Sequence, residues 1–257
     1  MQWERPSSLF ARIALTHQGW QRDVLVAIGA DGLISGIQAG VAAPVGTEVC
    51  DLLLPGMANV HSHAFQRALA GLTETASGAG QDNFWSWRDA MHGFTQTLTP
   101  KRMEEIARDV YIGLLKQGYT SVGEFHYVHH EANGKPYAHS TELSDAVISA
   151  AQQAGIHLTH LPVLYQTGGF GGIAATDKQK RFINNTERYI ELVNQLTNNC
   201  SGQSDITIGI APHSLRAVPP ESLQIILEAF PDCPVHIHIA EQEKEVQHSS
   251  CCSESQH

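Results

Sequence analysis

The sequence predicts an α/β fold: an incomplete βα barrel, about five of eight strand–helix units, preceded by strands of a small β-domain. Three observations predict it. From Leu52 onward, short apolar runs alternate with helical patterns, the order that builds a parallel sheet with crossover helices. Each of these runs ends in polar or ionisable residues, and in a TIM barrel the C-terminal strand ends build the active site. Residues 9 to 50 carry short β-type runs and turn signals instead.

Taken in order, Phe10 to Leu15, Val24 to Ile28 and Leu33 to Gln38 read as strands, with Ala30-Asp31-Gly32 as a turn. The apolar run Leu52-Leu53-Leu54 leads into Pro55-Gly56-Met57-Ala58-Asn59-Val60-His61-Ser62-His63. Histidines spaced i, i+2 there project to one face of a strand. Thr99-Pro100 is an N-cap followed by proline at the first helical position, and Gly118 is the stop. Between them Met103, Ile106, Ala107, Val110 and Leu114 form one apolar face at helical period. A strand from Tyr119 to Phe125 follows, ending in Glu124-Phe125-His126-Tyr127. A helix over Glu142 to Ala154 is closed by Gly155, and the strand His157 to Tyr165 comes next. The loop Gly168-Gly169-Phe170-Gly171-Gly172 has neither glycine spacing of a phosphate cradle, so a flexible active-site loop is expected. A polar helix of about twenty residues precedes the strand Ile206 to Pro212, which ends at His213. The last helix starts after Pro219-Pro220. The last strand is Val235 to Ala240, containing His236-Ile237-His238, with Glu241 just beyond.

At 257 residues, with 42% apolar and 16% charged residues, the chain can bury a sizeable core. A net charge of −10 argues against a nucleic-acid surface, which needs a basic face. No apolar stretch has the span of a transmembrane helix, and none has the flanks of a signal peptide. A cytoplasmic chain with a small-molecule partner, no nucleic acid and no membrane is expected, and a homodimer is left open. The five cysteines show neither a disulfide framework nor a C-x-x-C zinc pattern. Histidine is the unusual residue, with fifteen copies against sixteen lysines and arginines.

Two neutral imidazoles converging from one strand end are half of a metal site. A lone His-x-His also fits two half-buried strand histidines, but two such pairs at strand ends outweigh that explanation. Glu241, three residues past His238, lies within reach of a metal's water and could carry a proton to a leaving nitrogen. Its bland alternative is a solvated charge in the run Glu241, Glu243, Lys244, Glu245.

These stretches resemble the amidohydrolase superfamily and, within it, the formimidoylglutamate deiminases. The resemblance rests on PGMANVHSHAFQRALAGLTE, FWSWRDAM, GYTSVGEFHYVHH, LPVLY with GFGG, APHSLRAV and HIHIAEQEKEV, and covers nearly everything up to Val246. It implies a metal-dependent-hydrolase TIM barrel at residues 52–246, with strands of a small β-sandwich domain at 1–51. It implies His61, His63 and His238 as ligands of one zinc ion, and Glu241 as the catalytic proton shuttle. Gln66, Arg88, Tyr127, His213 and Arg216 would form the substrate pocket. The implied reaction is hydrolysis of N-formimino-L-glutamate, a dicarboxylate, to N-formyl-L-glutamate and ammonia, in histidine degradation. Arginine forks suit carboxylates. Arg88 and Arg216 also read as surface ion-pair residues, Tyr127 as core, Gln66 as a helix start and His213 as a cap neighbour. His126, His129, His130 and His236 are structural candidates, and Trp85 and Trp87 are packing residues or a lid. One zinc is expected because binuclear relatives use a lysine carbamate where this chain has His213-Ser214-Leu215-Arg216.

Family members carry a further histidine after strand six and an aspartate after strand eight, and neither position exists here. The chain therefore reads as the N-terminal part of a longer enzyme. Its tail at 247–257, QHSSCCSESQH, reads as foreign or frameshifted and is expected to be disordered. The isolated chain is expected to have little or no deiminase activity. Two alternatives stay open: another mononuclear deaminase acting on a purine, pyrimidine or guanidine compound, and a non-catalytic fragment.

Overall fold

A computed structural model describes residues 6–73, 84–239, 243 and 245–247. The chain divides into two compact units, Met1–Met57 and Ala58–His257. The first holds β1 (Ser8–Thr16), β2 (Gly19–Ile28), β3 (Ile34–Gln38) and β4 (Glu48–Leu53). They form one mixed sheet in the order β3-β2-β1-β4, with β4 running parallel to β1 and the other pairs antiparallel. Ala11, Ala14, Val24 and Val26 form its buried apolar cluster, against which Cys50 and Leu53 pack. Leu52 and Leu53, read from sequence as the lead-in to the histidine strand, therefore complete β4 of this sheet.

The second unit takes all of β5 (Met57–Ser62) but its first residue, followed by a short 3-10 turn over Ala64–Leu69, α1 (Phe84–Thr95) and α2 (Pro100–Lys116). It continues through β6 (Tyr119–His126), α3 (Glu142–Ala154), β7 (His157–Leu164) and α4 (Thr186–Asn199). It closes with β8 (Ile206–Ile208), β9 (Ala211–Pro212) and α5 (Pro220–Ala229). The sheet runs β5-β6-β7-β8, with β9 also pairing β7, and β6, β7, β8 and β9 are mutually parallel where paired. Thr99 caps α2 by accepting the Arg102 amide at 3.3 Å, and Gly155 closes α3 in the left-handed conformation at φ 79°. Met103, Ala107 and Tyr111 of α2 pack with Leu143 and Val147 of α3 over Val122, Leu158 and Leu161 of the sheet.

Two predicted strands differ from expectation. The run Ile206 to Pro212 is broken at Gly209 and Ile210, where the backbone turns from β7 toward the next segment: the Gly209 amide bonds the His160 carbonyl and the Ile210 amide bonds that of Pro234. The Tyr189 hydroxyl fills the break, donating to the Pro162 carbonyl at 2.9 Å and accepting the Ala211 amide at 3.1 Å. The predicted strand from Val235 is reduced to a single parallel bridge between Val235 and Ile210. The amides of His236 and His238 bond the carbonyls of Ile210 and His213, so two residues on one side face three on the other and the ladder slips. Of the predicted tail at 247–257, Gln247 is described in helical conformation and the rest lies outside the described residues. Among those described, no helix is long and apolar enough to cross a membrane.

Candidate functional site

Strand ends of the second unit bring the predicted histidines together. His61 lies near the end of β5 and His63 just beyond it, while the slipped segment after Val235 brings in His238. One ring nitrogen from each of His61, His63 and His238 lies within 4.8 Å of the others. The Nε2 atoms of His61 and His238 are 3.3 Å apart. Phe125 of β6 lies beneath them, its ring 4.2 Å from that of His238 and 5.3 Å from that of His63.

Hydrogen bonding fixes one tautomer. His63 Nδ1 lies 2.9 Å from the Phe125 carbonyl. A carbonyl only accepts, so Nδ1 carries the proton and the Nε2 lone pair is left for a ligand role. Burial pushes His63 down to about 3, opposed by the Phe125 hydrogen bond and reinforced by His238 and His61. Burial first, then His61 and Arg216, pushes His238 down to about 4. Both imidazoles are therefore neutral at physiological pH, the form that coordinates a metal.

The same histidines line a cavity of about 390 Å³. Gln66 enters it from the 3-10 turn, and Trp87, Arg88, Met91 and His92 enter from α1. Tyr127 follows β6, Tyr165 follows β7, and His213 and Arg216 follow β9, with Phe182 completing the wall. Gln66 Nε2 donates to the Tyr127 hydroxyl at 2.7 Å, which in turn donates to the Met91 sulfur at 3.6 Å. Arg88 Nη2 donates to the Tyr165 hydroxyl at 3.4 Å, and Gln179 donates to the same oxygen at 2.8 Å. His213 Nδ1 meets the Ser214 hydroxyl at 2.9 Å, and burial holds its ring well below the usual histidine range, helped by Arg216. Arg216 is only 7% exposed, and its Nε donates to Glu245 at 2.5 Å. That buried pair orients the guanidinium.

All eight predicted metal and substrate residues that are described, namely His61, His63, Gln66, Arg88, Tyr127, His213, Arg216 and His238, line this one cavity. Glu241 lies outside the described residues. His126, His129 and His130 are buried away from it, their carbonyl partners Val163 and Ile183 holding the last two. Sequence reasoning missed Met91, His92, Tyr165, Phe182 and Glu245. The i, i+1, i+4, i+5 spacing of Trp87, Arg88, Met91 and His92 is a helical face that could have shown the first two. Glu245 is buried on Arg216, where the sequence suggested a solvated charge run. The glycine loop borders a second cavity that shares Arg88 and His92 with the first.

A parallel βα sheet whose strand ends gather three imidazoles in one cavity, with Arg88 and Arg216 in its wall, is the frame of a metal-type hydrolase. Residues 52–250 match the model of the amidohydrolase family, and the chain belongs to that family. Residues 7–50 match the formimidoylglutamate deiminase HutF N-terminal domain. The chain is a homologue of the formimidoylglutamate deiminase of Pseudomonas aeruginosa, 49% identical over 243 residues, which cover 93% of this chain and 53% of that protein. It superposes on a crystal structure of an amidohydrolase from Brucella melitensis with a TM-score of 0.88 at 46% identity, covering 93% of this chain and 53% of that one. The atrazine chlorohydrolase of Arthrobacter aurescens TC1, solved in complex with zinc, shares the fold at a TM-score of 0.70 and 19% identity, over 90% of this chain and 52% of that one. The chain spans about half the length of the relatives it matches.

Proposed function

We propose that this site belongs to an enzyme that hydrolyses the formimino C=N bond of N-formimino-L-glutamate, giving N-formyl-L-glutamate and ammonia, with zinc held by His61, His63 and His238. The carrying observation is the convergence of three metal-competent imidazoles with Arg88 and Arg216 in one cavity. The donor set fits zinc: three borderline nitrogen ligands, of which burial keeps His63 and His238 neutral, with the His63 tautomer set by the Phe125 carbonyl.

When bound, zinc lowers the pKa of a water molecule toward neutrality and polarises the bond under attack. The chain's own groups do the remaining work. Arg216, oriented by Glu245, and Arg88, oriented by Tyr165, take the two substrate carboxylates. Gln66 and Tyr127, already bonded to each other, present polar atoms to the amidine end. Trp87, Met91 and Phe182 exclude water from the cavity. His213, neutral and held by Ser214, serves as a hydrogen-bonding wall. By its position in HIHIAE, Glu241 passes a proton to the departing nitrogen. Water and the C=NH group thus become C=O and ammonia.

Titrating the zinc-loaded chain with N-formimino-L-glutamate, guanine and adenosine tests the reading. The dicarboxylate should bind in preference, and Arg216→Met should weaken it by about 1.5–3 kcal/mol, roughly ten- to hundred-fold. Preference for guanine or adenosine, or no effect of Arg216→Met, would overturn it.

A further inference from the structure

Glu124 takes no part in the chemistry above, yet it is a carboxylate sealed inside β6 at 1% exposure. Burying a carboxyl costs several kcal/mol unless specific partners offset it. Its Oε1 accepts the Ala64 amide at 2.7 Å, a buried contact across to the end of β5. The Ser62 and Tyr111 hydroxyls also bear on it, while Oε2 completes no hydrogen bond of its own. Ser62 and Ala64 are the two residues on either side of His63. The next residue of β6, Phe125, gives its carbonyl to the His63 ring. Successive residues of one strand thus grip the main chain around His63 and the ring itself.

We infer that Glu124 is a positioning residue for the metal site: its carboxyl fixes the turn after His63 so that Nε2 faces His61 and His238. This rests on the reading of those histidines as zinc ligands. A purely packing role would need only the volume of the side chain. A positioning role needs an acceptor for the Ala64 amide, which glutamine retains and leucine lacks.

The test is zinc affinity, measured by chelator competition on the full chain, with the visible spectrum of the cobalt-substituted form as a second reading. Glu124→Leu should weaken zinc about ten- to hundred-fold and alter the cobalt spectrum, as loss of a group that orients a ligand does. Glu124→Gln should restore wild-type affinity, and Tyr111→Phe, which leaves the Ala64 contact in place, should not change it. Wild-type affinity in a cooperatively melting Glu124→Leu chain overturns the inference alone, as does a glutamine variant as weak as the leucine one. Absence of zinc binding in the wild-type chain overturns both this inference and the metal-site reading. If the leucine variant does not fold, hydrogen exchange at Ala64 in the metal-free wild-type chain decides: core-like protection supports the grip, and unprotected exchange overturns it.

Discussion

Burial keeps imidazoles neutral because the protein interior solvates a cation poorly, and this governs more than the candidate ligands. Burial drives His160, a fully buried residue of β7, down to about 3, and drives His92 down to about 4. Both values lie below the ordinary 6.5, so between these limits the unfolded chain binds protons that the folded chain refuses. Stability of the metal-free chain is therefore complete above pH 6.5 and is lost as pH falls toward the folded values. Urea melts at pH 7.5 and 5.5 should differ by about 1.4 kcal/mol for each fully buried imidazole. A pH-independent midpoint would contradict these neutral states. At this scale the sequence was informative where spacing carried chemistry: His61 and His63 share a strand face, and APHSLRAV placed His213 and Arg216 on one wall. Tyr165 and Phe182 were illegible because a lone aromatic reads equally well as core. Glu245 was misleading because its neighbours are charged, whereas its pairing depends on a turn of chain that local pattern does not encode.

Capped and periodic elements were legible in outline. Thr99-Pro100 opens α2, Gly155 closes α3, and β6 and β7 end within a residue of expectation. Helix α1 went unread since its face mixes Trp87, Arg88, Met91 and His92, residues that point to a cavity rather than to an apolar core. The break between β8 and β9 was also hidden, because Ile206 to Pro212 has an unbroken strand pattern interrupted only by a glycine. That glycine is required by close approach. A Cβ at Gly209 would lie 2.6 Å from the Pro234 carbonyl oxygen and 2.7 Å from Leu161 Cδ2. Gly209→Ala should therefore destabilise the chain by about 1–3 kcal/mol. It should also weaken metal binding by displacing the segment that carries His238. Denaturant melts and zinc titration check the two effects together; unchanged values for both would show that Pro234 can yield freely.

Across the whole molecule, alternating strands and helices foretold a parallel sheet with chemistry at its strand ends, and the second unit has that form. The first unit is a four-stranded mixed sheet, in which β4 takes residues the sequence pattern had joined to the histidine strand. Local periodicity cannot tell which sheet an apolar run will join, because that choice is made by partners distant in sequence. The central claim is that His61, His63 and His238, drawn from opposite ends of the second unit's sequence, bind one metal ion. Zinc content of the purified chain, measured beside His63→Ala and His238→Ala, tests it most directly. The account predicts one tightly held zinc per wild-type chain and loss of that zinc in both variants. A wild-type chain that binds none, or a variant that keeps its zinc with unchanged affinity, would contradict it.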